Sequence, residues 1–261
     1  VQTVSPHDSQ ESVARIATDY DLVAVPVVDE DRRLLGVVTV DDVIDAIQEE
    51  QTEDVQKLGG MEALDEPYMQ ISFLHMLRKR AGWLSILMVS EMFTTSVLQH
   101  YDVELRRAAV LILFVPLVMS SGGNSGSQST SLITRAMALG EVTLRDWWRV
   151  AIRELPSGIA LGTILGVIAI VRIFLWQQLA LYDYTDNGRV TVIRFALTVA
   201  FALVGIVTFG SLTGSMLPFL LKRLGFDPAS ASAPLVATLV DMTGLAIYFT
   251  TALLFLRGTL L

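Results

Sequence analysis

The chain has 261 residues, of which 52% are hydrophobic and 18% charged, with a mean hydropathy of +0.53. Soluble domains carry about 25% charged residues, so a simple soluble enzyme is excluded, and the lack of cysteine excludes disulfides, thiolate metal sites and cysteine nucleophiles. Residues 1–66 hold 17 acids and 4 bases, a net of −13, while residues 67–261 hold 10 acids and 15 bases, a net of +5; an acidic module that argues against a nucleic-acid partner precedes a long apolar part.

The first residues are polar, with neither a signal-peptide pattern nor an initiator Met, and the chain is expected to begin inside a domain of a longer protein. Asp8 or Ser9 is placed to cap a helix through Asp19, with Val13, Ile16 and Ala17 at helical spacing. Leu22 to Asp29 reads as a strand, Asp29 to Arg32 as a charged turn, and Leu34 to Thr39 as a second strand. A helix opens at Asp41. The segments Val25-Pro26-Val27-Val28-Asp29 and Gly36-Val37-Val38-Thr39-Val40-Asp41-Asp42-Val43 resemble one CBS repeat. In that family a Gly-x-x-Thr-x-x-Asp run can bind an adenosine ribose, which implies Gly36, Thr39 and Asp42 as nucleotide-binding candidates and ATP as a candidate ligand.

From Asp41 to Glu66 the only base is Lys57. Asp42, Asp45, Glu49 and Glu53 are spaced by three and four and share one helical face, where they repel one another. Such a face is either simply solvated or needs divalent cations to sit against another acidic surface; carboxylate oxygens suit Mg²⁺ or Ca²⁺.

Five apolar stretches follow, each near or above the roughly 18–20 residues that cross a bilayer. They run from Trp83 to about Gln99, from near Ala108 to about Leu139, from Pro156 to Trp176, from Phe195 to Leu221 and from Ser230 to Leu256. Trp147 and Trp148 predict an interfacial helix between spans two and three. One set of flanks carries nine Lys and Arg and the other six, which places the N-terminus in the cytoplasm and the C-terminus outside. The fold class is therefore mainly α. It is a polytopic membrane domain of five transmembrane helices (81–261), preceded by a partial α/β module (1–47) and an acidic connecting helix with its juxtamembrane segment (48–80). Gly158, Gly162 and Gly166 in span three, and Gly210 and Gly214 in span four, recur every four residues. That spacing serves close helix packing or dimerisation, or reflects ordinary glycine frequency in membrane helices.

Two features inside the membrane carry chemistry. Asp241 stands midway along span five, where a carboxylate costs ~2.5–3.5 kcal/mol on insertion scales; it must face a polar interior, for ion coordination or proton relay, or else for a structural hydrogen bond. The second feature is Gly123-Asn124-Ser125-Gly126-Ser127-Gln128-Ser129 in span two. Glycine there permits close approach and irregular backbone, which at this depth requires a cavity or burial in protein; the alternative is a polar seam between helices. Glu91 in span one is a further carboxylate that can line the path, pair with a base or amide, or be protonated.

Together these pieces resemble the MgtE family of magnesium channels. The resemblance rests on Pro116 followed by Gly122-Gly123-Asn124-x-Gly126-x-Gln128-Ser129, on Leu217-Pro218-Phe219-Leu220, on Asp227-Pro228, and on Pro234-Leu235-Val236-Ala237-Thr238-x-x-Asp241-x-Thr243-Gly244. It implies a homodimer in a cell membrane, with a pore on the two-fold axis between spans two and five. By the resemblance Asp241 forms the selectivity filter, Ala237 contributes a backbone carbonyl, and Gly123, Asn124, Ser127 and Gly244 lie along the pore. Glu11, Asp21, Asp42, Asp45, Glu50, Glu53, Asp54 and Asp227 match positions of regulatory Mg²⁺ ligands, so that cytoplasmic Mg²⁺ would close the pore. Full-length members carry an N-terminal domain and a first CBS repeat that this sequence does not contain. Many members also have Asn where Ser127 and Ala233 stand here. A proton- or sodium-coupled divalent-cation transporter using Asp241 and Glu91 is the alternative, and a membrane sensor with a nucleotide-binding module is a third reading. No nucleophile–base pair, HExxH or phosphate loop marks an enzyme.

Overall fold

The computed structural model of the chain describes residues 2–103, 109–185 and 190–258. Two compact units are formed, one from Val1–Gln56 with Glu62–Ile71, the other from Lys57–Met61 with Ser72–Leu261.

In the first unit Ser9 caps α1 (Gln10–Asp19), its Oγ accepting from the Ser12 amide at 3.3 Å. β1 (Ala24–Val28) and β2 (Leu34–Thr39) pair antiparallel from Ala24↔Thr39 to Val28↔Leu34, and Val4 adds a parallel bridge to Val27. The charged turn is closed by Asp29 Oδ1 accepting from the Arg33 amide at 2.7 Å. The first strand is shorter than the run from Leu22, and the second matches its predicted limits. α2 (Val40–Leu58) follows β2 directly and runs unbroken across position 47. Val4, Ala14, Ala17, Val25 and Val43 form the small buried core of this unit.

The second unit is a bundle of membrane-length helices. α3 (Phe73–His100) forms span one, α4 (Ala109–Ile112) with α5 (Val115–Ala138) span two, α6 (Trp147–Gln178) span three, α7 (Val192–Arg223) span four and α8 (Ala233–Leu256) span five. All five spans are long and apolar enough to cross a bilayer. The expected start of span two at Ala108, and the flanking bases Arg106, Arg107 and Arg189, lie outside the described residues. Span two breaks after Ile112 because Pro116 has no N–H to give the Ile112 carbonyl. Tyr248 Oη of α8 donates to the Leu111 carbonyl at 2.9 Å, beside that break.

α7 is the central helix and packs on α5, α6 and α8. Glycine makes this possible. A Cβ on Gly158 or Gly162 would strike the backbone of Thr208 or Val204, at 2.7 and 2.6 Å, so α6 lies backbone to backbone on α7. Gly210 and Gly214 do the same for α5: a side chain on either would collide with the carbonyl of Gly122 or Gly126. The Thr130 hydroxyl lies between the carbonyls of Gly126 at 3.0 Å and Gly214 at 2.8 Å. The glycine pattern is thus a device for packing within one chain, driven by van der Waals contact and interhelical hydrogen bonds.

Two expectations are corrected. The Gly123–Ser129 segment is not irregular, since α5 is continuous from Val115 to Ala138. The glycines are spent on close approach, and Ser127 and Thr130 bond back to carbonyls four residues earlier, at 2.8 and 3.0 Å. Trp147 and Trp148 form no separate interfacial helix; they begin α6, which continues through Pro156 to Gln178. A capping box of Thr143 and Asp146 closes the 3₁₀ turn Leu144–Asp146 that leads into this helix: Asp146 accepts from the Thr143 amide at 3.0 Å and hydroxyl at 2.6 Å.

Candidate functional site

α5 and α8 run side by side at the site. A Cβ built on Gly123 would lie 3.4 Å from the Ala237 Cβ. One turn along α5, the Ser127 hydroxyl donates to the Gly123 carbonyl at 2.8 Å and reaches the Ala233 carbonyl at 3.5 Å. The two contacts pair 123 with 237 and 127 with 233, so the helices are antiparallel there. Asp241 then stands beside the start of the polar segment of α5, near Ser120. Ser232 caps α8, accepting from the Leu235 amide at 3.3 Å, and Pro234 occupies its first turn, where a missing N–H costs nothing.

Asp241 is half-buried, as are Ala237 and Ser127, whereas Gly123 and Gly244 are buried. Gly244 packs toward Ile206 and Met119. Ser120, Asn124 and Gln128 recur every four residues on α5 and are all exposed. The chain alone therefore presents a polar stripe along a membrane helix, next to a half-buried carboxylate. Lipid cannot satisfy such groups; they need water or another protein surface.

Glu91 on α3 is half-buried. No base or amide partner is found for it among the described residues, and its electrostatic neighbour is Asp241. Glu154, in the first turns of α6, behaves differently: it accepts from the buried Ser129 hydroxyl of α5 at 2.8 Å, which links the two helices. The sequence alone does not single out that pair, because its members lie 25 positions apart on different spans.

The regulatory candidates are placed as follows. Glu11, Asp21, Asp42 and Asp45 are exposed, Asp21 in the left-handed region with φ +50°, which aspartate tolerates. Glu50, Glu53 and Asp54 are half-buried, and each has a partner. Asp227 caps the turn before α8, accepting from the Ala229 amide at 2.8 Å, and forms an ion pair with Lys57 at the end of α2. That lysine, the single base of the acidic stretch, contacts a candidate site residue and was left unassigned by the sequence; its isolation among acids was the available signal. Among the described residues no three His, Asp or Glu side chains converge on a metal-sized site.

For the nucleotide candidates, a cavity of about 450 Å³ in the first unit is lined by Asp8, Asp42, Asp45 and Glu49 along with apolar residues such as Val27 and Val38. Thr39 donates its hydroxyl to Asp42 at 2.8 Å. Gly36 is not among the lining residues. Four carboxylates disfavour a bare polyphosphate, because like charges at close range repel.

The family model for MgtE, described as a divalent cation transporter, matches residues 115–251. The chain belongs to the MgtE family. A CBS domain model matches residues 1–49. The chain is 43% identical over 249 residues to the magnesium transporter MgtE of Thermus thermophilus, covering 95% of this chain and 52% of the relative. Identity to the magnesium transporters MgtE of Enterococcus faecalis and Bacillus subtilis is 33% over 258 and 32% over 249 residues, covering 98% and 95% of this chain and 53% and 52% of the relatives. The chain thus spans about half the length of the curated relatives it matches. Its MgtE match covers spans two to five, including Asp241 and the polar stripe. Family membership and five membrane-length helices make it a multi-pass membrane protein.

Proposed function

We propose that this chain is the pore-bearing part of a Mg²⁺ channel that works as a homodimer, conducts Mg²⁺ into the cytoplasm, and is closed by cytoplasmic Mg²⁺. The observation that carries the reading is the exposed stripe of Ser120, Asn124 and Gln128 beside half-buried Asp241. A second copy about a two-fold axis covers such a stripe and encloses water between the chains. It also brings two Asp241 carboxylates together.

The mechanism follows from the chemistry of the ion. Mg²⁺ sheds its waters reluctantly and demands six ligands in octahedral geometry. Two carboxylates cannot replace that shell. The ion is held through its waters, with Asp241 supplying field and hydrogen bonds, and with the Ala237 carbonyl and Asn124 amide meeting outer-shell water. Two facing carboxylates repel when the path is empty and favour one divalent over one monovalent ion. The ion binds weakly enough to leave, as conduction requires.

Closure follows from charge. Cytoplasmic Mg²⁺ neutralises acids among Asp42, Asp45, Glu50, Glu53, Asp54 and Asp227, with Glu11 and Asp21 as further ligands, and it shuts the path by binding the closed state more tightly. The N-terminus lies in the cytoplasm and the C-terminus outside. The test of the pore is Mg²⁺ uptake into liposomes loaded with a Mg²⁺-sensitive dye. Asp241→Asn is expected to abolish uptake while the protein still elutes as a folded dimer. Uptake at the unsubstituted rate would refute the role of Asp241.

A further inference from the structure

Two contacts fix the register of α3 along α8. At the N-terminal end of α8 Trp83 Nε1 donates to Ser232 Oγ at 3.3 Å. At the far end the Tyr101 ring stacks on Phe249 with centroids 4.9 Å apart. The tethers are 18 residues apart on α3 and its cap and 17 apart on α8 and its cap. The helices therefore run parallel and nearly in step. Glu91 lies 8 residues beyond Trp83, and Asp241 lies 9 beyond Ser232. At about 1.5 Å per residue the two carboxylates stand about 12 and about 13.5 Å from the same tether, at one depth in the membrane.

The face that carries Glu91 is the packed one. Leu87 and Thr94, four residues before it and three after, are the two buried residues of α3. Thr94 is only 6% exposed, and its hydroxyl has no hydrogen-bond partner among the described residues. A buried hydroxyl without a partner costs about 1–3 kcal/mol unless water or a ligand satisfies it. One helical turn therefore holds, among the described residues, an intramembrane carboxylate without a cationic partner and an unsatisfied hydroxyl, level with Asp241.

We propose that Glu91 is a second acidic residue of the ion path, and that with Asp241 and the Thr94 hydroxyl it forms a mid-membrane site for a hydrated divalent cation. The proposal rests on the reading of Asp241 as the ion-path carboxylate. Glu91 acts through field, and Thr94 accepts from or donates to a water of the ion's shell. The pair raises the preference of each subunit for divalent over monovalent ions.

The test is the Mg²⁺-to-K⁺ permeability ratio, read from reversal potentials of the full chain in planar bilayers. Glu91→Gln is expected to lower the ratio on the order of tenfold, because a carboxylate acts on a divalent ion with one more unit of charge than on a monovalent one. Glu91→Asp restores most of the ratio, which a merely space-filling role would not do. Thr94→Val, nearly isosteric, lowers it by a smaller factor and carries the test if the Gln variant does not fold. An unchanged ratio in Glu91→Gln, or in Thr94→Val if it stands alone, overturns the proposal. Asp241→Asn separates the two claims. If it loses Mg²⁺ current while Glu91→Gln keeps the unsubstituted ratio, only the Glu91 site falls. If it keeps Mg²⁺ current, the reading of Asp241 and the Glu91 site fall together.

Discussion

Gly214 has no room for a side chain: a Cβ there would run into the Gly126 carbonyl oxygen of α5. The obstacle is backbone, which cannot swing aside as a side-chain end can. Gly214→Ala is therefore expected to push α5 from α7, strip the Gly214 carbonyl from the Thr130 hydroxyl, and cost about 1–3 kcal/mol or more. Thermal unfolding of the purified protein in detergent reads this as a lowered midpoint. Gly82→Ala is the control, since a Cβ on Gly82 meets nothing within 4 Å. Equal midpoints for the two variants would contradict the packing described. Four-residue glycine spacing was legible in the sequence, but its partner was not. Spacing identifies a helix face, and only the fold shows that Gly158 and Gly162 meet α7 and that Gly210 and Gly214 meet α5. Asp241 was legible for a sharper reason, since a lone carboxylate amid apolar residues is costly wherever it stands. The face of Glu91 was not, because it depends on the register between α3 and α8 set by Trp83 and Tyr101.

At the scale of elements, the strongest sequence signals gave the best boundaries. β2 and the ends of α7 and α8 fall within a few residues of the predicted limits. α3 is longer than its apolar run, starting at Phe73, because Arg78, Lys79 and Arg80 end a hydropathy signal without ending a helix. In the middle of α5 glycine and serine lower helix propensity, but tertiary contact with α7 overrides that preference. An ion pair stands at the end of α2. Lys57 holds Asp227, and Gly60 just beyond it sits at φ +75°, close against Trp83 and Pro234. Lys57→Met should release this end of α2 and speed protease cleavage between α2 and α3 in the presence of chelator. Both partners are partly solvated, so the stability effect is small, about 1 kcal/mol or less. An unchanged cleavage rate would show that the pair does not tether the helix.

At the scale of the whole molecule, the acidic N-terminal quarter and the apolar remainder were separable from charge counts alone. A two-fold assembly is an expectation of the resemblance to the MgtE family, since one chain's residue pattern carries no direct sign of a second copy. The structure adds the exposed stripe of Ser120, Asn124 and Gln128. Since the chain has no cysteine, Asn124→Cys introduces a single thiol. If the stripe faces its copy across a two-fold axis, mild oxidation in membranes yields a cross-linked dimer. Ile164→Cys, at an exposed position of α6, should stay monomeric under the same treatment. The opposite pattern would place the dimer interface elsewhere.

The central claim is that Mg²⁺ crosses the membrane along Asp241. Recording from the purified protein in planar bilayers, with Mg²⁺ as the only permeant cation, tests it most directly. The account predicts unitary Mg²⁺ currents that fall as cytoplasmic Mg²⁺ rises and that vanish in Asp241→Asn. Silent bilayers alongside pH-driven Mg²⁺ uptake into liposomes would contradict it, and would point to a coupled transporter instead.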